Sequence, residues 1–240
     1  MLTPDRLISI INGPIFWLPI TLVIYAASTA LYRRYDKAPL LNPTLLTIAG
    51  VAAILMMTAV PYQKYFEDVA VLHYLLGTAV VALALPLYNN LTRLRGRYMT
   101  MTFALLAGSL ASMLVGLAIA TLAGTSAIAI LSLAPKSATA AVSMEIARLI
   151  GGAPAVTGVL TILTGIIGAV AGPYVLDLAG VRTPEARGFA LGVAAHGIAT
   201  ARAFSEGEIA GSFAGLGMAL NAVLTALTVP LVIRAFGFGV

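Results

Sequence analysis

Six runs of mostly apolar residues, each long enough to cross a lipid bilayer, dominate this chain of 240 residues. They lie near residues 14–32, 40–60, 70–91, 99–123, 154–178 and 210–236. A helix needs about 20 apolar residues to cross about 30 Å of hydrocarbon, and it satisfies its own backbone hydrogen bonds there. The sequence therefore predicts an all-α polytopic membrane protein with about six full spans.

The composition supports the same class, because 60% of the residues are hydrophobic and only 10% are charged, whereas about 25% of the residues of soluble domains are charged. Loops of a few residues join the runs, and they leave no room for a separate soluble domain. We therefore expect one transmembrane domain over residues 1–240, in contact with lipid on its outer surface.

The net charge of +5 is concentrated in two short clusters between apolar runs. The clusters are Arg33, Arg34 and Lys37, and Arg93, Arg95 and Arg97. Basic residues in short loops mark the cytoplasmic side of a membrane protein. No aromatic or groove-reading motif accompanies the clusters, so binding of nucleic acid is not expected.

Cysteine is absent, which excludes disulfides and thiol chemistry. The two histidines, His73 and His196, lie far apart in the sequence, and neither has a neighbour at ligand spacing. We expect no metal site and no cofactor.

Two further stretches, at about 124–150 and 186–209, carry the polar residues expected at membrane depth. Lys136, His196 and Arg202 are costly there unless they face a cavity, a partner or a substrate. Each stretch either crosses the membrane as a broken helix or enters and returns on one side as a re-entrant hairpin.

The basic residues distinguish these two topologies. With both basic clusters inside, a re-entrant first stretch brings Arg182 and Arg187 inside, as the positive-inside rule predicts. A crossing stretch would leave both arginines outside. The charges therefore favour the re-entrant interpretation.

The two stretches also share a pattern. Thr139-Ala140 is followed by Glu145, and Thr200-Ala201 is followed by Glu206 at the same spacing. In the re-entrant topology the stretches enter from opposite sides, as in an inverted repeat whose broken segments meet near the bilayer midplane. This arrangement is typical of secondary transporters.

The first stretch contains residues suited to an anion. Pro135 disfavours helix at Ala134, so we expect a break there and a new helix immediately afterwards. That helix would present Lys136, Ser137 and Thr139 beside the positive end of its dipole.

The second stretch adds donors on one face. His196 and Thr200 are four residues apart, which places them on the same side of a helix. Gly197 permits close approach, and Arg202 offers a forked donor for a carboxylate. We predict a substrate site made of Lys136, Ser137, Thr139, His196, Gly197, Thr200 and Arg202.

Structural roles remain open for several of these residues. Lys136 could pair with Glu145 or Glu206, Arg202 could pair likewise, and His196 could bond a helix backbone. Three polar residues at the ends of spans are either helix termini or cavity lining: Asn42, Tyr88 and Asn89.

An intramembrane serine hydrolase is the enzymatic alternative, because Lys136 and Ser137 are adjacent. Neighbouring residues on one helix do not face each other, and the chain has no G-x-S-x-G motif. We do not expect an enzyme.

The chain resembles the LrgB/CidB family from about residue 15 to its end. The matching segments include Leu41-Asn42-Pro43, Ala84-Leu85-Pro86-Leu87-Tyr88, Ala134-Pro135-Lys136-Ser137, Met144-Glu145-Ile146, His196-Gly197-Ile198-Ala199-Thr200-Ala201-Arg202-Ala203 and Glu208-Ile209-Ala210-Gly211-Ser212. Family members are described as antiholin-like proteins, as regulators of murein hydrolase export and, in plastids, as glycolate/glycerate translocators.

The resemblance implies a multi-pass protein of the bacterial inner (cytoplasmic) membrane that moves small monocarboxylates such as glycolate, glycerate, pyruvate or acetate. It also implies a small membrane partner of the LrgA/CidA type. The alternative function is a non-transporting regulator or subunit of a holin-like system that controls murein hydrolase activity and lysis. A homodimer is expected by analogy with carriers that move against a fixed scaffold.

Overall fold

The computed structural model describes residues 16–35, 43–72 and 96–237, together with position 41 and isolated positions from 74 to 92. The described residues form helices and turns and include no β-strand. They belong to two compact units, Met1–Ala82 and Leu83–Val240. Asn42, Asn89 and most of the predicted span at 70–91 lie outside the described residues, and the single transmembrane domain over 1–240 stays a prediction.

The first unit contains α1 (Trp17–Arg34), α2 (Pro43–Thr58) and α3 (Tyr62–Asp68). Trp17 is fully buried, and its ring lies edge-on to that of Tyr65 with centroids 5.7 Å apart. The Tyr65 hydroxyl lies 3.2 Å from Thr21 Oγ1. These contacts fix α3 against the start of α1.

The second unit contains α4 (Tyr98–Leu122), α5 (Ala127–Leu133), α6 (Ala140–Leu149), α7 (Pro154–Leu178), α8 (Pro184–Glu206) and α9 (Glu208–Ala235). Three of these helices, α4, α7 and α9, are long and apolar enough to cross a membrane, and α2 is a shorter apolar helix. The all-α membrane class is therefore confirmed, while the total of about six spans stays a prediction.

Helix α8 folds back on itself. Arg187 Nε and Glu206 Oε2 lie 3.3 Å apart, although 19 residues of straight helix would separate them by about 28 Å. The reversal occurs at Ala195 (φ −145°, ψ 26°) and His196 (φ 43°, ψ −139°). Residues 184–194, α8a, and residues 197–206, α8b, are the two arms of a re-entrant hairpin.

The packing of α9 on both arms supports this geometry. Along α8a, residues later in the sequence contact residues later in α9. Along α8b, residues later in the sequence contact residues earlier in α9. The contacts are Gly188 with Ala210 and Gly192 with Ala214 for α8a, and Gly197 with Met218 and Phe204 with Gly211 for α8b. Helix α9 is therefore parallel to α8a and antiparallel to α8b.

The stretch from 123 to 153 is the other hairpin. Arg97 before α4 pairs with Glu185 at 3.8 Å, and Asp177 at the end of α7 pairs with Arg187 at 2.7 Å, so these ends share one face of the unit, here called the charged face. Both α4 and α7 have 25 residues, about 37 Å of helix, so their other ends lie on the opposite face. The intervening stretch leaves and returns there, and the two hairpins enter from opposite faces, as expected for an inverted repeat.

This topology predicts opposite accessibility for two single-cysteine variants of the naturally cysteine-free chain. Arg182→Cys lies on the charged face, and Thr125→Cys lies in the turn after α4. In inverted and right-side-out vesicles, an impermeant thiol reagent should label each variant from one side, and the two sides should be opposite. Labelling of both from the same side would contradict the hairpin arrangement.

The contact between α8a and α9 predicts a sharp response to a small substitution. A Cβ at Gly192 would overlap the backbone of Ala214, whereas a Cβ at Gly108 would meet Val193 at an ordinary 3.6 Å. Gly192→Ala should lower the free energy of unfolding by about 1–3 kcal/mol or more, and the matched Gly108→Ala should change it much less. Thermal unfolding in detergent measures both. Equal midpoints would show that α8a and α9 are less tightly packed than described.

Candidate functional site

The first hairpin reverses at Pro135, which is fully buried. Ending a helix in lipid frees carbonyl groups that need new donors. Ser143 Oγ donates to Pro135 O at 2.8 Å, and Thr157 Oγ1 donates to Ser132 O at 3.0 Å. Hydroxyl groups of α6 and α7 therefore stabilise the first tip.

The second arm begins later than the sequence predicted. Helix α5 ends at Leu133 with Ala134 as its C-cap, so the break falls where expected, but α6 begins at Ala140 with Thr139 as its extended N-cap residue. The delay arises because Lys136 N–H bonds Leu133 O at 3.1 Å within a local turn. Consequently Lys136 and Ser137 lie in the connecting turn, and the free N–H groups at the start of α6 belong to the residues that follow them.

Lys136 points at the wall formed by α4. Its Nζ donates to Ser112 O at 2.8 Å and lies 3.4 Å from Ser112 Oγ, and a Cβ on Gly116 would obstruct Nζ. Neither Glu145 nor Glu206 is its partner, because Glu145 pairs with an arginine of α6 and Glu206 with two arginines of α8. Among the described residues, no carboxylate forms an ion pair with this ammonium.

The second tip is organised around His196, which is buried. Its Nε2 lies 2.8 Å from Thr161 O, and because a carbonyl only accepts, this nitrogen carries a hydrogen. Thr200 Oγ1 donates to His196 O at 2.8 Å. Gly165 leaves space for the imidazole, since a Cβ there would collide with the ring. This bond to Thr161 O is the contact with a helix backbone that the sequence left open for His196. It leaves Nδ1 for other interactions.

Other predicted site residues lie elsewhere. Arg202 is six residues beyond His196 and pairs with Glu206 at 3.6 Å, in the ion network at the charged face. The structure therefore does not bring Arg202 to the tip. Gly197 begins α8b and is exposed, and Tyr88 is 70% exposed.

Asn221 of α9 connects the two tips, and the sequence reasoning missed it. Its Nδ2 donates to Ser137 O and to Val193 O, each at 3.0 Å, and the residue is fully buried. Ser137 belongs to the first tip and Val193 immediately precedes the second. The sequence did contain a signal for this residue, which is an isolated amide within the last apolar run. Polar residues at membrane depth are costly and are usually functional.

Part of the polar chemistry of this region is unused. Within the described residues of the second unit, three buried side-chain oxygen atoms have no hydrogen-bond partner: Asn221 Oδ1, Thr161 Oγ1 and Thr225 Oγ1. Buried polar atoms are nearly always satisfied, so each exception needs an explanation. A ligand, an ion or a water near the tips would supply one.

A cavity of about 650 Å³ lies between α4 and α8a. Arg97 and Glu185 stand at its charged-face end, and Val193 and Ala194 line its deep end. The cavity therefore leads from the charged face to the residues just before the second tip.

These features define a multi-pass membrane protein in which two opposed re-entrant hairpins meet around a polar centre. The LrgB-like family model matches residues 21–235. The chain belongs to this family.

The relatives are bacterial. The chain is 32% identical to the holin-like protein CidB of Staphylococcus epidermidis (strain RP62A) over 218 residues, covering 90% of this chain and 94% of that protein. It is 36% identical to the uncharacterized protein YxaC of Bacillus subtilis (strain 168) over 217 residues, with the same coverage of 90% and 94%. No solved structure matched the chain.

Asn221 should be essential for stability because it satisfies two buried carbonyl groups. Asn221→Ala should lower the free energy of unfolding by about 1–3 kcal/mol for each carbonyl left without a donor. The matched control is Thr228→Val, since Thr228 Oγ1 donates within α9 to Leu224 O and does not join the tips. Unfolding in detergent should separate the two variants, and equal loss would contradict the bridging role.

Proposed function

We propose that this protein carries small monocarboxylate anions across the membrane by alternating access around the two hairpin tips. The observation that carries the proposal is the Asn221 bridge between tips that enter from opposite faces. A substrate site at the tips would be separated from each side of the membrane by only one part of the protein, as alternating access requires.

Lys136 supplies the positive charge. Its ammonium is bonded to the neutral Ser112 and forms no ion pair with a described carboxylate, and an intramembrane charge of this kind is a functional group by default. A substrate carboxylate would bring a negative charge to this ammonium, whereas the carbonyl of Ser112 is a neutral acceptor. We assign Lys136 the role of anion receptor.

Polar groups around Lys136 would form hydrogen bonds with the rest of the substrate. Thr139 caps α6 next to its free N–H groups, which favour negative charge. Ser137 and Thr200 provide hydroxyls close to the tips, and Gly197 leaves its side of the tip open. Glycolate, glycerate, pyruvate and acetate are the substrate class that fits this small set of donors.

His196 is the candidate for a coupled proton. Its Nε2–H is committed to Thr161 O, so a proton would be gained and lost at Nδ1. Histidine is the side chain that changes charge near physiological pH. Protonation during transport would balance the charge of the anion.

The relatives support a second candidate, in which the protein is a component of a holin-like system in the bacterial cytoplasmic membrane. The name holin-like protein, carried by CidB of S. epidermidis and of Staphylococcus aureus, favours this candidate more directly than it favours carboxylate transport. A small membrane protein of the LrgA/CidA type, a second copy of the chain, or both would be its partners. Anion transport and a role in lysis are compatible in one protein.

We also propose that the protein is not an enzyme. The serine hydrolase alternative requires the Lys136 amine at the Ser137 hydroxyl. The amine instead donates to Ser112 on α4.

Uptake of labelled glycolate and pyruvate into liposomes tests the carrier. The purified protein should give saturable uptake, and Lys136→Ala should reduce it to the level of empty liposomes, because the anion loses the cation proposed to hold it between the tips. Lys64→Ala is the matched control, since Lys64 pairs with Asp68 in the first unit and should retain uptake. Both variants must remain monodisperse.

The same variants distinguish the second candidate. A holin-like component that does not transport should show no uptake with or without a pH gradient, and Lys136→Ala should leave its effect on cell lysis unchanged. Saturable uptake that survives Lys136→Ala would contradict the proposed anion site.

A further inference from the structure

We infer that the cavity between α4 and α8a is the entrance through which the anion reaches the second tip from the charged face, with Arg97 as its first binding residue. The inference rests on the proposed carrier function and adds a second anion-binding position, separate from Lys136. The cavity lies entirely within the second unit.

The depth of the cavity fits an entrance. From Glu185 at its mouth to Val193 at its deep end, α8a rises about 12 Å, and from Arg97 to Gly108, α4 rises about 16 Å. These lengths are about half of the roughly 30 Å of hydrocarbon that a span crosses. The cavity therefore ends near the middle of the bilayer, where the two tips meet.

The deep end of the cavity lies where α8a faces Gly108 of α4, which has no side chain. A Cβ on Gly108 would lie 3.6 Å from Val193 Cγ1, and Asn221 donates to the carbonyl of that same valine. Val193 therefore stands between the cavity and the amide that bridges the tips. Passage of an anion to the tips would require this part of α8a to move relative to α4.

The mouth of the cavity holds one cation and one carboxylate. Arg97 has a side chain that is 55% exposed, and its Nη1 lies 3.8 Å from Glu185 Oε1, beyond the range of a good hydrogen bond. The walls beyond it are mostly apolar: Met101, Ala104, Gly108, Phe189, Val193 and Phe213. The two opposite charges cancel, so an anion binds here by taking the place of Glu185 at the guanidinium, which the long contact between them favours.

Thiol labelling of the cysteine-free chain tests the entrance without any transport measurement. Ala190→Cys and Ala104→Cys place thiols on opposite walls. A methanethiosulfonate that carries an anionic sulfonate group, added at the charged face, should label both thiols. It should react more rapidly than a methanethiosulfonate that carries a cationic trimethylammonium group. Leu178→Cys, at the end of α7 and 90% exposed, is the positive control for reagent access. Val223→Cys, exposed in the middle of α9, should stay unlabelled.

Arg97→Gln in the Ala190→Cys background should lower the ratio of anionic to cationic labelling rates several-fold. The matched control is Arg182→Gln, because Arg182 is 75% exposed and also pairs with a carboxylate at 3.8 Å, yet it does not line the cavity. This control should leave the ratio nearly unchanged.

Three results would overturn the inference: no labelling of Ala190→Cys and Ala104→Cys when Leu178→Cys reacts, equal rates for the two reagents, or equal effects of Arg97→Gln and Arg182→Gln. Absence of labelling would indicate that the cavity holds lipid or protein. Failure of the carrier function is a different result, since the labelling pattern would then persist in a protein without uptake.

Discussion

Every backbone group freed by a helix break inside a membrane needs a partner from the protein, and this requirement organises the second unit. The first break is satisfied by Ser143 and Thr157, and the carbonyls of Ser137 and Val193 share the amide of Asn221. Because one amide serves both breaks, neither hairpin tip is independent of the other. The polar centre follows from the same need, since Ser143, Thr157 and Asn221 bring their polar side chains to the tips as donors.

Glycine contacts determine which parts of the unit hold together. On α7, glycines face the second tip and α8a, and on α8a they face the backbone of α9. The residues are Gly165, Gly168, Gly172, Gly188 and Gly192. Close packing of small residues is a main source of helix association in lipid, so α7, the second hairpin and α9 form one tightly packed block. By contrast, α4 packs against the first hairpin through larger side chains, in a buried apolar cluster that includes Met113, Leu117 and Ile130.

Much of this architecture could be predicted from sequence because charge and proline act locally. Basic residues predicted the re-entrant topology, and Pro135 marked the first break. The predicted start of α6 was wrong because the sequence does not show that the N–H of Lys136 bonds Leu133 O in a turn. Arg202 was assigned to the tip because spacing within a stretch does not show where a hairpin reverses. Asn221 could not be predicted from a periodic pattern. It bonds segments that are distant in the sequence, so it stands alone among apolar residues.

The contact between Lys136 and Ser112 has a consequence for which form of an acid the protein would accept. A peptide carbonyl accepts one of the hydrogens of this ammonium at 2.8 Å, and an ammonium carries three. A further acceptor could therefore bind while the carbonyl stays in place. If Lys136 receives the proposed anion, an ionised carboxylate would add an opposite charge to the hydrogen bond, whereas an undissociated acid would add only another neutral acceptor. The main chain of α4 would then serve as an anchor that keeps the ammonium in position for its ligand.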